Sequence, residues 1–204
     1  MNNNITPIDI KSGINNVFPF PILVSEEEYV LSNKQKDIIL GQNQRKNQHN
    51  NTSTTGILLE DLELKRLKEF CQRQIDHYAH VLLKIIDCEF YITESWSNYN
   101  KTKEHHHRHT HPNSIISGVY YLAPKVSTII FHKEKPIFPA FSFNYQSYNL
   151  ANCDEIHIEV EKNKLVLFPS HISHSVNANL DEETRISVAM NTFVKGTLGI
   201  SGNK

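Results

Sequence analysis

Cysteine is scarce: three residues, Cys71, Cys88 and Cys153, widely spaced and without a CxxC pair. An odd, scattered set argues against a disulfide framework or a zinc knuckle and fits a reducing compartment. No stretch approaches the ~18 consecutive apolar residues that a membrane helix needs, and Met1 to Ile5 lacks the basic-then-apolar pattern of a secretory leader. The reading is a cytoplasmic protein. Charge of one sign is lacking too. Lys plus Arg total 21 and Asp plus Glu 22, a formal net charge of -1, so no broad field for nucleic acid or an anionic membrane is built in. No internal repeat is visible. The length, 204 residues, suffices for one ordinary domain with a real core.

Histidine is abundant. There are 12, and five fall between positions 105 and 111.

The chain divides at about residue 88. Residues 1–88 read as an N-terminal extended segment, a polar loop and a supporting helix. The apolar run Val17 to Val24 carries Pro19 and Pro21, which suits a sheet edge or an extended packing segment and not a central strand. A helix is predicted over Glu26 to Leu40, and a surface loop over the polar stretch Gly41 to Gly56. From Leu59 to Ile86, apolar residues recur in steps of three and four (Leu64, Leu67, Phe70, Cys71, Ile75, Tyr78, Val81, Leu82, Ile85), the mark of a helix packed on a sheet.

Residues 89–204 have the texture of short strands. Segments at Glu89 to Asn98, Ile115 to Leu122, Val126 to His132, Glu155 to Glu161, Leu165 to Pro169, Ser173 to Asn177 and Thr184 to Thr192 alternate or are rich in β-branched and aromatic residues. One long helix followed by many strands implies a mainly β, helix-backed sandwich or barrel.

In a strand, positions i and i+2 share a face, so His109 and His111 can present two imidazoles to one ion, and imidazole suits Fe, Zn, Cu and Ni alike. A third ligand must come from elsewhere. His174, just beyond the apolar strand ending at Ser170, is the candidate, with His171 as its rival. His132 and His157 read as ordinary histidines, and the run His105 to His107 as a solvated loop. On the strand from Arg185 to Asn191, Arg185, Ser187, Ala189 and Asn191 share one face and Ile186, Val188 and Met190 the other. That charged face makes sense lining a cavity, where a guanidinium fork and a hydroxyl can grip a carboxylate; the plain alternative is a surface pair of Arg185 with Asp181 or Glu182.

Trp96 to Asn98, His109-Thr-His-Pro-Asn-Ser114, Ser117-Gly-Val-Tyr-Tyr-Leu122, Leu165-Val-Leu-Phe-Pro-Ser170, His174 and Arg185-Ile-Ser187 together resemble a family of small bacterial and phage 2-oxoglutarate–Fe(II) oxygenases. The likeness covers residues 89 to 193 and extends more weakly to Val17 to Pro21. It implies a double-stranded β-helix (a jelly-roll, cupin-like barrel) whose iron site is written HxD/E…H. Carried over, His109 is the first ligand, His111 stands at the carboxylate position, His174 is the distal ligand, and Arg185 and Ser187 take the far carboxylate of 2-oxoglutarate. Asn191, on the same strand face, joins the cosubstrate residues, as does Tyr99 by likeness to prolyl-hydroxylase-type relatives. The expected cofactors are Fe(II) and the cosubstrate 2-oxoglutarate, with O2; a homodimer is left open. Histidine in place of the carboxylate is a departure. Either His111 ligates, or a position stays open, or Glu104 or Asn113 intrudes. Two other readings stand beside this one: a three-His cupin-type dioxygenase that uses no 2-oxoglutarate, and a non-catalytic metal-binding module. The aromatic segment Phe138 to Tyr148 (Phe138, Phe141, Phe143, Tyr145 and Tyr148) is the expected substrate surface, with plain cover for the barrel as the alternative reading.

Overall fold

The structure, a computed structural model, describes residues 20–135 and 140–199. Expectations for Val17 to Pro19 and for Phe138 fall outside those residues.

Among the described residues, eleven strands form two antiparallel sheets facing one another. They are β1 (Leu23–Val24), β2 (Gln44–Asn47), β3 (Asn50–Ser53), β4 (Cys88–Asn100), β5 (His106–His109), β6 (Ile116–Ala123), β7 (Val126–His132), β8 (Glu155–Glu161), β9 (Leu165–Pro169), β10 (His174–Val176) and β11 (Arg185–Gly196). The larger sheet runs β1-β9-β6-β11-β4-β3-β2 and the smaller β5-β10-β7-β8. This is a mainly β jelly-roll. The two-residue strand β1 occupies an edge, where the nearby Pro21 does no harm.

Two helices back the larger sheet. The first, α1, covers Asn33–Leu40 and starts later than expected. Ser32 sets that start: its hydroxyl accepts from the Gln35 amide at 3.2 Å while the Gln35 side chain accepts from the Ser32 amide at 3.0 Å, a reciprocal cap that satisfies two orphan donors. The second, α2, spans Lys65–Asp76 and continues as a π-helical turn through Leu82. Its stripe Leu67, Phe70, Cys71 and Ile75, with Tyr78, is fully buried, whereas Val81 and Leu82 are exposed. The helical part of the stripe leaves the core after Ala79, and Ile85, past the helix end, packs against it again.

The stretch expected to be a loop is a hairpin. β2 and β3 pair from Gln44–Ser53 to Asn47–Asn50, and β3 joins β4. Asn50, Thr52 and Ser53 are buried. No apolar alternation announces them, because their polar atoms are satisfied sideways: Thr52 donates to the Ser97 carbonyl at 3.1 Å, and Ser53 accepts from the Ser97 amide at 3.1 Å.

There are two cores. One lies between the helices and the outer face of the larger sheet, and it includes Leu67, Phe70, Tyr120, Leu167, Ile186, Val188 and Met190. Gly118 belongs there for want of room: a Cβ would come within 2.8 Å of Leu167 Cδ2. The other lies between the sheets, from Tyr121, Ile129, Phe131, Val160, Val166 and Phe168. Each buried aliphatic or aromatic side chain stabilises by about 1.5–3 kcal/mol. Among the described residues no helix is long and apolar enough to cross a membrane.

Candidate metal centre

The second core does not fill the whole space between the sheets. At one end, β4, β6 and β11 from the larger sheet and β5, β7 and β10 from the smaller enclose a narrow cavity. Its walls include Trp96, Asn98, Asn100, Tyr121, Arg185, Ser187 and the rings of His106, His109, His111 and His174.

His174 on β10 pairs directly with His109 on β5. His111 lies two residues past the end of β5 and is tethered by its amide to the Ser170 carbonyl at 3.0 Å. The three rings converge, with centroids 4.3 Å (His109–His174), 5.0 Å (His111–His174) and 5.0 Å (His109–His111) apart. One nitrogen from each lies within 4.8 Å of the other two. His174 is 3% exposed, packed edge-on against Phe168 at 4.6 Å.

The tautomers are set from behind. His109 Nδ1 meets the His107 carbonyl at 2.8 Å and His174 Nδ1 meets the Ile172 carbonyl at 3.0 Å. A carbonyl only accepts, so both rings carry the proton on Nδ1 and turn the Nε2 lone pair inward, as a hydrogen bond from behind orients metal-binding imidazoles. His111 Nε2 and His174 Nε2 stand 3.2 Å apart. Two ligands at ~2.1 Å and right angles on one ion are about 3.0 Å apart, so the pair matches one edge of a coordination shell. Burial and the neighbouring imidazoles hold all three rings neutral: His109 and His174 titrate below the ordinary value, and His111 is pushed down to about 4. Neutral imidazole is the form that binds a metal.

Beside the rings the cavity holds polar groups without partners. Six buried side-chain polar atoms lack a hydrogen bond among the described residues, and four of them, Asn98 Oδ1, Asn100 Nδ2, Tyr121 Oη and Arg185 Nε, belong to residues lining this one cavity. Arg185 donates from Nη1 to the Asn177 carbonyl at 2.7 Å, which anchors the guanidinium while leaving Nε free. Burial draws its pKa down. An unpaired buried polar atom costs about 1–3 kcal/mol, and four in one cavity fit a site shaped for a polar ligand. Three neutral imidazoles beside a guanidinium suit a divalent ion carrying an anionic chelate.

Arg185, Ser187 and Ala189 face this cavity, while Ile186, Val188 and Met190 face the helix-side core. Two residues assigned to the cosubstrate lie elsewhere. Tyr99 is turned to the helix side: its hydroxyl meets the Ile39 carbonyl and the Ser97 hydroxyl, because on β4 the cavity face belongs to Trp96, Asn98 and Asn100. Asn191 sits outside the cavity lining, in a buried polar network. Its Oδ1 accepts from Ser117 at 3.0 Å, its Nδ2 donates to Glu94 at 3.0 Å, and Ser117 continues to Ser170 at 2.8 Å and on to Ser114. That network braces the turn bearing His111. Glu104 is engaged with Lys46 and the Lys101 amide. His171 packs against Phe20, and His132 and His157 bond Ser175 and Glu155. The described aromatics Phe141, Phe143, Tyr145 and Tyr148 line neither the cavity nor the cleft outside it. Sequence reasoning missed Trp96 as a wall, Asn98, Asn100, Tyr121 and His106. Period-two parity with Arg185 and Ser187 across paired strands would have found Asn98 and Tyr121, since Ser187 pairs with both.

The cavity opens into a cleft of about 430 Å³ bounded by Arg45, Asn47, Thr52 to Gly56, Glu94, Trp96 and the histidines of β5. Glu94 is the only carboxylate among the described residues that line either space.

Residues 94–191, just under half of the chain and the part that carries all three rings and Arg185, match the model of a family described as "Putative 2OG-Fe(II) oxygenase". In fold and in this match the chain is similar to the 2-oxoglutarate–Fe(II) oxygenases, a class of oxidoreductases that use Fe(II) and 2-oxoglutarate with O2. Solved structures share the architecture at low identity. HygX from Streptomyces hygroscopicus, solved with nickel, 2-oxoglutarate and hygromycin B, has a TM-score of 0.54 at 10% identity over 84% of this chain and 82% of its own. The α-ketoglutarate-dependent carbocyclase SnoK of nogalamycin biosynthesis gives 0.55 at 10% over 88% and 83%. A 2OG-Fe(II) oxygenase family oxidoreductase from Burkholderia pseudomallei gives 0.52 at 9% over 78% and 75%. No curated protein sequence matches.

Proposed function

We propose that the chain is a 2-oxoglutarate-dependent Fe(II) dioxygenase of the hydroxylase type, with iron on His109, His111 and His174 and the far carboxylate of the cosubstrate on Arg185. One observation carries this reading: one nitrogen from each of three imidazoles lies within 4.8 Å of the other two, in a cavity also lined by a half-buried guanidinium whose Nε has no partner. The three-His set is a departure from the two-His-one-carboxylate pattern. Here the negative charge comes from the bound 2-oxo acid.

Bound iron and 2-oxoglutarate supply the oxidation itself: O2 is reduced, the 2-oxo acid leaves as succinate and CO2, and a substrate C–H bond is oxidised. The residues bind and orient. Arg185 pairs with the far carboxylate through the face that Asn177 leaves open. Tyr121 and Ser187 would donate hydroxyls to the same anion, and Asn100 would donate to it from Nδ2. The His107 and Ile172 carbonyls hold His109 and His174 in the ligating tautomer. Trp96, 5.8 Å from the His111 ring, helps to close the cavity to water. The primary substrate enters from the polar cleft.

The test is succinate release by Fe(II)-loaded protein in the absence of primary substrate, an uncoupled turnover. Native protein produces succinate. Arg185→Ala raises the KM for 2-oxoglutarate roughly 10- to 100-fold, the loss of a charge-assisted hydrogen bond of about 1.5–3 kcal/mol. Absence of succinate, with indifference to Arg185→Ala, would return the three-His cupin reading.

A further inference from the structure

The histidines nearest the cleft are not a solvated loop. Between His106 and His109 β5 takes three steps while β10 takes two, from Val176 to His174. That is a bulge. The extra residue re-aims side chains that simple alternation would send to opposite faces. Arg108 turns away, donating from Nε to the Ser173 hydroxyl at 2.7 Å. His106, His107 and His109 all line the cleft, each offering a nitrogen within 4.8 Å of the other two. His106 stacks on His109 at 4.5 Å and lies 5.2 Å from His107. The Nδ1 of His107 is buried and has no hydrogen-bond partner. His49 and His105, stacked at 4.1 Å, extend the imidazole surface at the edge.

We infer that His106, His107 and His109 form a second, outer metal site at the mouth of the cleft, selective for borderline divalent ions such as Zn2+, Ni2+ and Cu2+. The donor set decides the class. Imidazole nitrogens without a carboxylate disfavour Mg2+ and Ca2+, and at such sites affinity rises from Fe2+ through Ni2+ to Cu2+, with Zn2+ also binding imidazole well. Three nitrogens around a tetrahedral ion at ~2.1 Å stand about 3.4 Å apart, so the rings need shifts below an ångström to close on it. The two trios contest one atom. His109 Nδ1 is taken by the His107 carbonyl, so both require its Nε2. An ion in the outer site therefore draws His109 from the inner one, which makes the outer site an inhibitory position for ions other than iron.

Zn2+ titrated calorimetrically into metal-free chain tests this without iron or cosubstrate, so its failure and that of the proposed activity are separate. In His111→Ala/His174→Ala, which disables the inner trio, one Zn2+ per chain still binds, and adding His107→Ala weakens it at least tenfold. In His106→Ala/His107→Ala the inner trio still takes one ion. Loss of all Zn2+ binding in a folded His111→Ala/His174→Ala chain, or binding there indifferent to His107, overturns the inference. If the alanine pair does not fold by circular dichroism, His111→Gln/His174→Gln keeps the bulk and is read by the same two outcomes.

Discussion

The two faces of β11 meet opposite fates. On one, Ile186, Val188 and Met190 join Leu67, Phe70 and Leu167 in a buried apolar core. On the other, Arg185 and Ser187 look across at Asn98 and Tyr121, and the space between carries several unpaired polar atoms. Same strand, same register, same neighbours: only side-chain parity differs. A face that is merely structural closes on itself. A face kept for a ligand tolerates unsatisfied groups that a folding ledger alone would remove.

That contrast can be broken from either side. Phe70→Ala empties the helix-side core and should lower stability by about 3–5 kcal/mol in urea unfolding, with metal affinity of the folded protein unchanged. A large change in metal affinity would mean that the faces are coupled. On the cavity face the sign reverses. Tyr121→Phe removes a buried hydroxyl without a partner, so the ligand-free protein should gain about 1–3 kcal/mol while its affinity for 2-oxoglutarate falls several-fold. A destabilised Tyr121→Phe protein would show that the hydroxyl is already satisfied and that the cavity is not waiting for an anion.

Much of this was legible in the sequence where pattern and packing agree. The strands Val126–His132, Glu155–Glu161 and Leu165–Pro169 have the bounds that alternation and turn residues assign, and the parity of Arg185 to Asn191 separates wall from core. The β2–β3 hairpin was not legible, since its buried Asn50, Thr52 and Ser53 are held by hydrogen bonds and not by an apolar period. Tyr99 shows the limit of likeness: a tyrosine one position away from Asn98 lands on the wrong face of the pleat. His106 and His107 were invisible for a related reason, because a bulge breaks the period-two rule that reading depends on. The braced turn that carries His111 past the end of β5 depends on Ser114, Ser117 and Ser170, whose hydroxyls meet only in three dimensions.

In the proposed function, His109, His111 and His174 hold one iron that 2-oxoglutarate then chelates. Anaerobic titration of Fe(II)-loaded protein with 2-oxoglutarate reads it directly through the weak visible charge-transfer band of the chelate. A band saturating at one equivalent per chain, lost in His174→Ala and needing more cosubstrate in Arg185→Ala, is the expected result. Iron bound by the native chain with no band at any 2-oxoglutarate concentration would contradict it.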